Sequence, residues 1–272
     1  MIPIAFINEW RAHAPWVSEA QVEQDLVLAR ALIEIFSDKL LAESLAFRGG
    51  TALHKLFIQP PARYSEDIDL VQIEQGPIGP ILEALRKKLS PWLGEPKWKL
   101  NEGRATLIYR FDSESQPITP MKVKVEINTR EHFSTLGLVQ KPYVIKSTWF
   151  SEETSITTYR LEELLGTKLR ALYQRKKGRD LFDLVVVLQQ FPSLEISKVI
   201  ECFFHYMKFT SNKVSRAEFE KNLMEKMNDS AFIEDIMPLL PNVMRSTYHP
   251  AKEIEQVYQK IISQLPGEPW KK

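Results

Sequence analysis

The sequence has a single cysteine, Cys202, in 272 residues. An intrachain disulfide is therefore excluded, and we expect a reducing compartment, the cytoplasm. No apolar run approaches the roughly 18 residues that a membrane helix needs, so no membrane partner is expected. The apolar opening residues lack a basic leader and meet Glu9 and Arg11 too early for a secretory signal, which argues against export.

The sequence also lacks a strong charge of either sign, since its formal net charge is +1. This total neither requires nor excludes a nucleic-acid partner, because a neutral total can hide a local basic patch. The rest of the composition, with 44% hydrophobic and 26% charged residues, is ordinary for a globular chain. The length allows one large or two modest domains.

A short apolar run ends in two glycines, Gly49 and Gly50, and Thr51 then opens a helical pattern. Residues without Cβ atoms let the chain turn tightly and bring backbone N–H groups close to a ligand. A helix that follows adds the positive end of its dipole. This corner therefore suits a phosphate group, although the glycine pair alone is equally compatible with an ordinary turn.

Downstream, Ser65–Val71 alternates polar and apolar residues, which predicts a half-buried strand with Asp67 and Asp69 on one face. Two neighbouring carboxylates repel each other and are costly to desolvate unless a cation lies between them. Mg²⁺ is the natural cation because it takes hard oxygen ligands. Taken alone, the pair is also compatible with a solvated acidic strand end.

A third candidate carboxylate lies on Met121–Asn128, where uninterrupted alternation predicts another strand. If this strand lies beside the first, Glu126 faces Asp67 and Asp69. Three such carboxylates can hold one or two Mg²⁺ ions that act on nucleotide phosphates and on an attacking hydroxyl. The alternative is that Glu126 pairs with a lysine on a neighbouring strand.

From Thr158 onward the pattern becomes mainly helical, which predicts a second domain. Thr158 is a candidate N-cap for a helix with a leucine stripe. Lys168 lies within that stripe, so it either snorkels to solvent or reaches into a cleft between the domains. In such a cleft, it would bind a triphosphate as a point charge.

The next feature is a compact basic stretch, made of Arg175, Lys176, Lys177 and Arg179. Closely spaced cations suit phosphate or an RNA backbone. The alternative is a solvated turn between helices with an Arg179–Asp183 pair. Asp180 lies close to this stretch, in the first turn of the helix that follows.

Together these motifs resemble the AbiEii toxin family of nucleotidyltransferases, the toxin half of bacterial type IV toxin–antitoxin and abortive-infection systems. The segments that carry the resemblance are FRGGTALHKLF at 47–57, RYSEDIDL at 63–70, KVEIN at 124–128 and KLRALYQRKKGRDLFDL at 168–184. One departure is Gly50-Thr51, where many members have glycine-serine. A second is a longer spacing to Asp67, which predicts a bulged loop at 59–64.

The resemblance implies an α/β fold of two domains. Residues 1–150 would form a nucleotidyltransferase-fold catalytic domain with a mixed sheet. Residues 151–272 would form a helical domain that contributes Lys168 and Asp180 to the cleft. The implied nucleotide-binding residues are Gly49, Gly50, Thr51, Ser65 and Lys168. The implied metal ligands are Asp67, Asp69 and Glu126, and the implied catalytic residues are Asp67, Asp69, Lys168 and Asp180.

The implied reaction is Mg²⁺-dependent transfer of a nucleoside monophosphate from an NTP to an acceptor hydroxyl. The tRNA 3′ end is the leading acceptor, in line with RNA binding by Arg175, Lys176, Lys177 and Arg179. As a toxin, the protein would have a cognate antitoxin as a partner. The alternatives are nucleotidylation of a protein or a small molecule, and a non-catalytic module that sequesters NTP or RNA.

Overall fold

A computed structural model describes residues 2–271 of the chain. The chain divides into two compact units, Met1–Tyr159 and Arg160–Lys272. The boundary expected between residues 150 and 151 lies before the nine-residue strand Ser151–Tyr159. This strand pairs with the sheet of the first unit, so the observed division falls after it.

In the described part of the first unit, seven strands form one mixed sheet. They are β1 Leu45–Arg48, β2 Asp67–Gln72, β3 Lys97–Asn101, β4 Arg104–Asp112, β5 Pro120–Asn128, β6 Leu138–Lys146 and β7 Ser151–Tyr159. Their order across the sheet is β3-β4-β5-β2-β1-β7-β6. The pairs β2–β5 and β1–β7 are parallel, and the other neighbours are antiparallel.

Helices cover one side of this sheet. They are α1 Ile4–Trp10, α2 Glu19–Phe36, α3 Lys39–Ser44, α4 Gly49–Leu56 and α5 Gly79–Leu93. Helix α2 begins at a capping box, in which Ser18 and Gln21 satisfy each other's backbone N–H groups. Its long buried stripe packs against β5 and β7, and α5 packs against β4. The other side of β3, β4 and β5 carries exposed polar residues.

A buried carboxylate on α2 joins three helices of the first unit. Asp25 accepts hydrogen bonds from Trp10 Nε1 at 2.8 Å, Trp16 Nε1 at 3.1 Å and Lys55 Nζ at 2.6 Å. Burial lowers the pKa of Lys55, but attraction to Asp25 outweighs this effect and raises it overall, so the ammonium group stays charged. The contact ties α4, which begins with the two glycines, to α1 and α2.

The second unit is helical throughout its regular elements. Its helices are α6 Leu161–Gln174, α7 Gly178–Gln190, α8 Ile196–Phe209, α9 Arg216–Met227, α10 Ser230–Glu234, α11 Asn242–Arg245 and α12 Pro250–Lys260. Helix α6 packs closely on α8, since a Cβ at Gly166 would lie 2.6 Å from that of Cys202. Among the described residues, no helix combines the length and apolar character needed to cross a bilayer.

The α/β class, with a mixed sheet followed by a helical part, is confirmed. The prediction of Thr158 as a helix N-cap is wrong. Thr158 lies on β7, and its hydroxyl donates to the Phe47 carbonyl at 2.6 Å. The N-cap of α6 is Arg160 instead. Threonine favours strands as well as helix starts, and pairing of β7 with β1 decides between the two.

Replacing Asp25 with alanine should strongly destabilise the first unit. The change leaves the Lys55 ammonium and two indole N–H groups buried without their acceptor, which costs roughly 3–5 kcal/mol for a broken buried pair. The measurement is the free energy of unfolding in urea. The control is Glu19→Ala on the same helix, whose pair with Arg11 is exposed and contributes about 1 kcal/mol or less. Equal losses in the two variants would contradict the role of Asp25.

Candidate active site

Three carboxylates lie on one face of the sheet. Asp67 and Asp69 alternate with the buried Ile68 and Leu70 on β2, so both point to the opposite side from the core. In the parallel pairing of β2 with β5, Asp69 is the register partner of Glu126. The structure therefore places these side chains on one face, because β2 and β5 are neighbours, which was the condition set for Glu126. We call Asp67, Asp69 and Glu126 the acidic face.

Two cations offset the charge of the acidic face. The Lys124 ammonium lies 3.0 Å from Asp67 Oδ2 and 2.8 Å from Glu126 Oε2. Burial lowers the pKa of Lys124, but hydrogen bonds to Glu126 and Asp67 outweigh it and raise the value overall. Arg104 contributes a second pair, 3.2 Å from Glu126 Oε1. The alternative for Glu126 was a lysine on a neighbouring strand. The lysine that contacts it, Lys124, lies on the same strand, and the neighbouring strand β4 supplies Arg104 instead.

The glycine turn, Gly49 and Gly50, lies directly against Asp69. Gly49 has φ +82°, and a Cβ built on it would lie 2.3 Å from Asp69 Oδ2. Only glycine fits both the backbone angle and this approach. Helix α4 starts at Gly49, and its first backbone N–H groups have no partner within the helix. The backbone N–H groups that could bind a phosphate thus lie next to Asp69, a candidate metal ligand.

The hydroxyls of Thr51 and Ser65 hold the glycine turn to the acidic face. Thr51 Oγ1 lies 2.8 Å from Ser65 Oγ and donates to the Asp67 carbonyl at 2.5 Å. Thr51 is buried, so its hydroxyl serves this contact within the fold. What Gly49, Gly50 and Thr51 can offer a phosphate is therefore backbone N–H, and their nucleotide contacts, like that of Ser65, stay a prediction.

The donor set fits Mg²⁺ bound together with a substrate. Within residues 2–271, no three His, Cys, Asp or Glu side chains are arranged so that they could hold a metal ion by themselves. Mg²⁺ commonly takes only one or two carboxylates and completes its shell with water and substrate phosphates. Asp67 and Asp69 supply such a pair beside the glycine turn. The Lys124 ammonium, seated between Asp67 and Glu126, shows that this face accommodates a cation.

In the second unit, Lys168 belongs to a buried ion-pair cluster. Its ammonium lies 3.1 Å from Asp180 Oδ1 and 2.7 Å from Asp183 Oδ2, with only 7% of the side chain exposed. Arg175 adds two hydrogen bonds to Asp180, at 2.6 and 2.7 Å. Burial raises the pKa of Asp180, but Lys168 and Arg175 outweigh it and lower the value overall. The snorkelling alternative for Lys168 is therefore wrong, because its ammonium has buried carboxylate partners.

Each cation of the basic stretch has a carboxylate partner in the second unit. Arg175 pairs with Asp180. Lys176 lies 3.2 Å from Asp229, and Lys177 lies 3.0 Å from Asp235. Arg179 also pairs with Asp235, at 3.6 Å. The expected Arg179–Asp183 pair is replaced by these contacts, because Asp183 faces Lys168. RNA binding by this stretch stays a prediction.

The sequence matches one family model over residues 30–260, described as "Nucleotidyl transferase AbiEii toxin, Type IV TA system". This match covers most of the chain, including both acidic strands, the glycine turn and the buried ion-pair cluster. The chain belongs to the AbiEii family of nucleotidyltransferase toxins. As an AbiEii protein it is an enzyme that uses an NTP, and membership of a type IV toxin–antitoxin family implies an antitoxin partner.

Solved structures share the fold of this AbiEii protein. MenT4, the nucleotidyltransferase toxin Rv2826c from Mycobacterium tuberculosis H37Rv, matches with a TM-score of 0.70 and 14% identity, over 98% of this chain and 91% of its own. A candidate nucleotidyltransferase from H. pylori has a TM-score of 0.53, 16% identity and coverages of 92% and 100%. JHP933 from Helicobacter pylori matches with a TM-score of 0.50 and 16% identity, over 89% of this chain and 97% of its own. No curated protein matches the sequence.

Sequence reasoning did not assign three residues that shape the two clusters. Lys124 lies two residues before Glu126 on the same strand face, so alternation alone could have placed it beside the carboxylates. Asp183 lies one helical turn after Asp180, which could have indicated a second partner for Lys168. Glu131 accepts a hydrogen bond from Arg48 Nη1 at 2.5 Å. No sequence signal indicates that contact.

The variant Gly49→Ala should impair this AbiEii enzyme through both backbone strain and displacement of Asp69. A left-handed alanine costs roughly 1–2 kcal/mol, and the new methyl group must also push the Asp69 carboxylate aside. We expect at least about a tenfold loss of nucleotide transfer, since a misplacement near 1 Å can cost about 100-fold. Initial rates and urea unfolding are the measurements.

Gly137→Ala provides the matched control for this substitution. Gly137 has φ +83° with no atom within 4 Å of an added Cβ, so it carries the same backbone strain without a displaced neighbour. Its variant should lose stability and keep its transfer rate. If Gly49→Ala and Gly137→Ala have the same rate of nucleotide transfer, the close approach of Gly49 to Asp69 is not required for the reaction.

The buried ion-pair cluster should make the stability of the second unit sensitive to acid. The folded-state pKa of Asp180 lies below its unfolded value of about 3.9, so its stabilisation is present above that pH. It is lost as the pH falls through the folded-state pKa. Near pH 7, Asp180→Asn should cost roughly 3–5 kcal/mol. The difference in the free energy of unfolding between wild type and Asp180→Asn should become smaller below about pH 4.

Urea unfolding of both proteins between pH 7 and pH 3 measures this gap. The control is Glu195→Gln, because the Glu195–Lys198 pair is exposed and its loss should cost about 1 kcal/mol or less. A gap between wild type and Asp180→Asn that stays constant across the pH range would exclude the proposed charge coupling of Asp180.

Proposed function

We propose that the enzyme transfers a nucleoside monophosphate from an NTP to the 3′-terminal hydroxyl of a tRNA, in a Mg²⁺-dependent reaction. The observation that supports this proposal is the contact between the glycine turn and the acidic face. Gly49 abuts Asp69, and Asp69 is in register with Glu126. Groups suited to phosphates and groups suited to a divalent cation are therefore adjacent on rigid elements.

In this proposal Asp67 and Asp69 would hold Mg²⁺ together with the substrate phosphates, and Glu126 lies beside them on β5 as a further carboxylate. Bound there, the ion would neutralise phosphate charge and polarise the attacking hydroxyl. The backbone N–H groups of Gly49, Gly50 and Thr51 orient the NTP phosphates. Ser65 fixes the turn through its contact with Thr51. Lys124 forms ion pairs with Asp67 and Glu126, which offset the repulsion between these carboxylates.

Within the second unit, the proposal assigns Lys168 as a nucleotide-binding cation and Asp180 as the carboxylate that orients it. The 3.1 Å contact between them supports this pairing. A lysine held between two buried carboxylates keeps a fixed direction. Asp180 is thus a positioning residue for Lys168 in this proposal.

The bond changes follow from the chemistry of nucleotidyl transfer. The acceptor 3′-oxygen forms a bond to the α-phosphorus of the NTP. The bond from that phosphorus to the bridging oxygen of the β-phosphate breaks, and pyrophosphate leaves with the electron pair. The acceptor hydroxyl proton passes to a carboxylate of the acidic face. Positioning and charge stabilisation supply most of the rate enhancement in such reactions.

The test is incubation with labelled NTPs, Mg²⁺ and total RNA, followed by separation of RNA from protein. We expect label on small RNA of tRNA size, and none when EDTA removes the metal. Asp69→Ala should lower incorporation at least about 100-fold, as removal of one group that stabilises transition-state charge does. Sequencing of RNA 3′ ends identifies the acceptor and the added base.

The matched control is Glu153→Gln, which removes an exposed carboxylate from β7, five residues before the position where that strand pairs with β1. It should keep the wild-type rate. Label on protein or on a small molecule would contradict the tRNA proposal and favour the alternative acceptors. NTP binding without any labelled product would instead indicate a module that acts by sequestration. The cytoplasmic location stays a prediction.

A further inference from the structure

The open face of the sheet continues past the acidic face, along β5 and onto the neighbouring strands β4 and β3. Paired residues in neighbouring strands share a face, so the register defines rows across the sheet. One row runs Asp69, Glu126, Thr106, Lys99 across β2, β5, β4 and β3. The next row runs Asp67, Lys124, Ile108, Lys97 across the same strands. Both rows lead from a candidate metal ligand to a lysine at the sheet edge.

This continuation, which we call the basic face, carries six cations against two carboxylates on the described strands β3, β4 and β5. The carboxylates are Asp112 and Glu126. The cations are Lys97, Lys99, Arg104, Arg110, Lys122 and Lys124. Because they alternate with buried or opposite-facing residues, they form a patch in space without forming a run in the sequence.

Four of these cations have charge that the fold does not compensate. Lys97, Lys99, Arg110 and Lys122 are exposed, and none has an ion-pair partner within residues 2–271. By contrast, each cation of the basic stretch contacts Asp180, Asp229 or Asp235. Uncompensated cations are the ones that can release bound counterions when a polyanion arrives. The basic face is therefore the better polyanion site.

A cavity of about 560 Å³ lies where β4 ends and β5 begins, with Glu66, Arg110, Asp112 and Lys122 among its lining residues. Glu66 immediately precedes Asp67 in the chain. The volume of the cavity lies within the range of about 300–1,000 Å³ that small-molecule and cofactor sites occupy. A nucleotide unit bound there would contact the cations Arg110 and Lys122 of the basic face.

We propose that the basic face binds the phosphate backbone of the RNA acceptor and leads its 3′ end to Asp67 and Asp69. This inference rests on the proposed function and adds the surface that recognises the substrate. From β2 to β3 are three strand spacings of about 4.8 Å, or roughly 14 Å. At about 3.4 Å per charge along one strand of a duplex, that distance spans about four phosphates.

The chemistry of the face favours a nucleic acid over a protein partner. Protein interfaces are depleted of lysine at their centre and use aromatic anchors. The basic face has lysine and arginine at its centre, and its one large apolar side chain in the two rows is Ile108. Interfaces with nucleic acids are polar and strongly positive, and phosphate contacts position the chain without reading its sequence.

The experiment measures equilibrium binding of unfractionated tRNA across a series of salt concentrations. Two double variants remove uncompensated charge from the face, Lys97→Gln with Lys99→Gln, and Arg110→Gln with Lys122→Gln. Each should reduce the magnitude of the slope of log association constant against log salt concentration by about 1.5, since one phosphate contact contributes roughly 0.7–0.9 to it. Affinity near 0.1 M salt should fall about tenfold or more.

The matched control is Lys39→Gln with Lys87→Gln, which removes the same charge from α3 and α5. Both lysines are exposed, and α5 packs on the opposite side of the sheet. This variant should keep the wild-type slope. Lys97→Arg with Lys99→Arg retains the charge and should also keep it, which separates loss of charge from loss of folding. Urea unfolding checks that each variant is folded.

Several outcomes would overturn the proposal. They are unchanged slopes in the two face variants, an equal effect in the control, and absence of tRNA binding by the wild type. A further double variant, Lys176→Gln with Lys177→Gln, removes charge from the basic stretch. A reduced slope in this variant alone would assign tRNA binding to the basic stretch instead. Binding with the expected slopes but without labelled RNA product would contradict the proposed function and leave the docking surface standing, so the two failures are distinguishable.

Discussion

Repulsion among carboxylates on one rigid sheet face is the constraint on which the first unit depends. The register of β2 and β5 fixes Asp69 beside Glu126, and alternation fixes Asp67 on the same side. Carboxylates held this close are tolerated only where cations offset them. Lys124 bridges Asp67 and Glu126, and Arg104 adds a second contact to Glu126. In the proposed function, a divalent cation bound with the substrate would meet the same electrostatic demand.

The two units use their buried and exposed charges differently. In the second unit, Lys168 and Arg175 are held by Asp180 and Asp183, so opposite charges compensate each other inside the fold. In the first unit, cations on the open face of β3, β4 and β5 exceed the carboxylates there. The sheet thus places positive charge beside the acidic face. An enzyme that joins a nucleotide to a nucleic acid requires this combination of metal site and polyanion surface.

Local sequence patterns predicted the faces but not the partners. Alternation correctly placed Asp67 and Asp69 on one side of a strand, because side-chain direction has a period of two. It could not show that β2 pairs with β5, since strand pairing is decided over long sequence separations. Thr158 was misplaced for a similar reason. Its intrinsic preferences fit a helix start or a strand, and its bond to Phe47 lies 111 residues away in sequence.

The basic stretch and the basic face show why charge density along the sequence is a poor guide to the charge that stays uncompensated in the fold. The stretch has four cations within five residues, yet Asp229 and Asp235 approach it from 53 and 58 residues away. The basic face is inconspicuous in the sequence because its cations are separated by alternation and by strand order. Attraction to a polyanion depends on charge that remains uncompensated after folding. That quantity is a property of the tertiary structure, even in a chain whose net charge is +1.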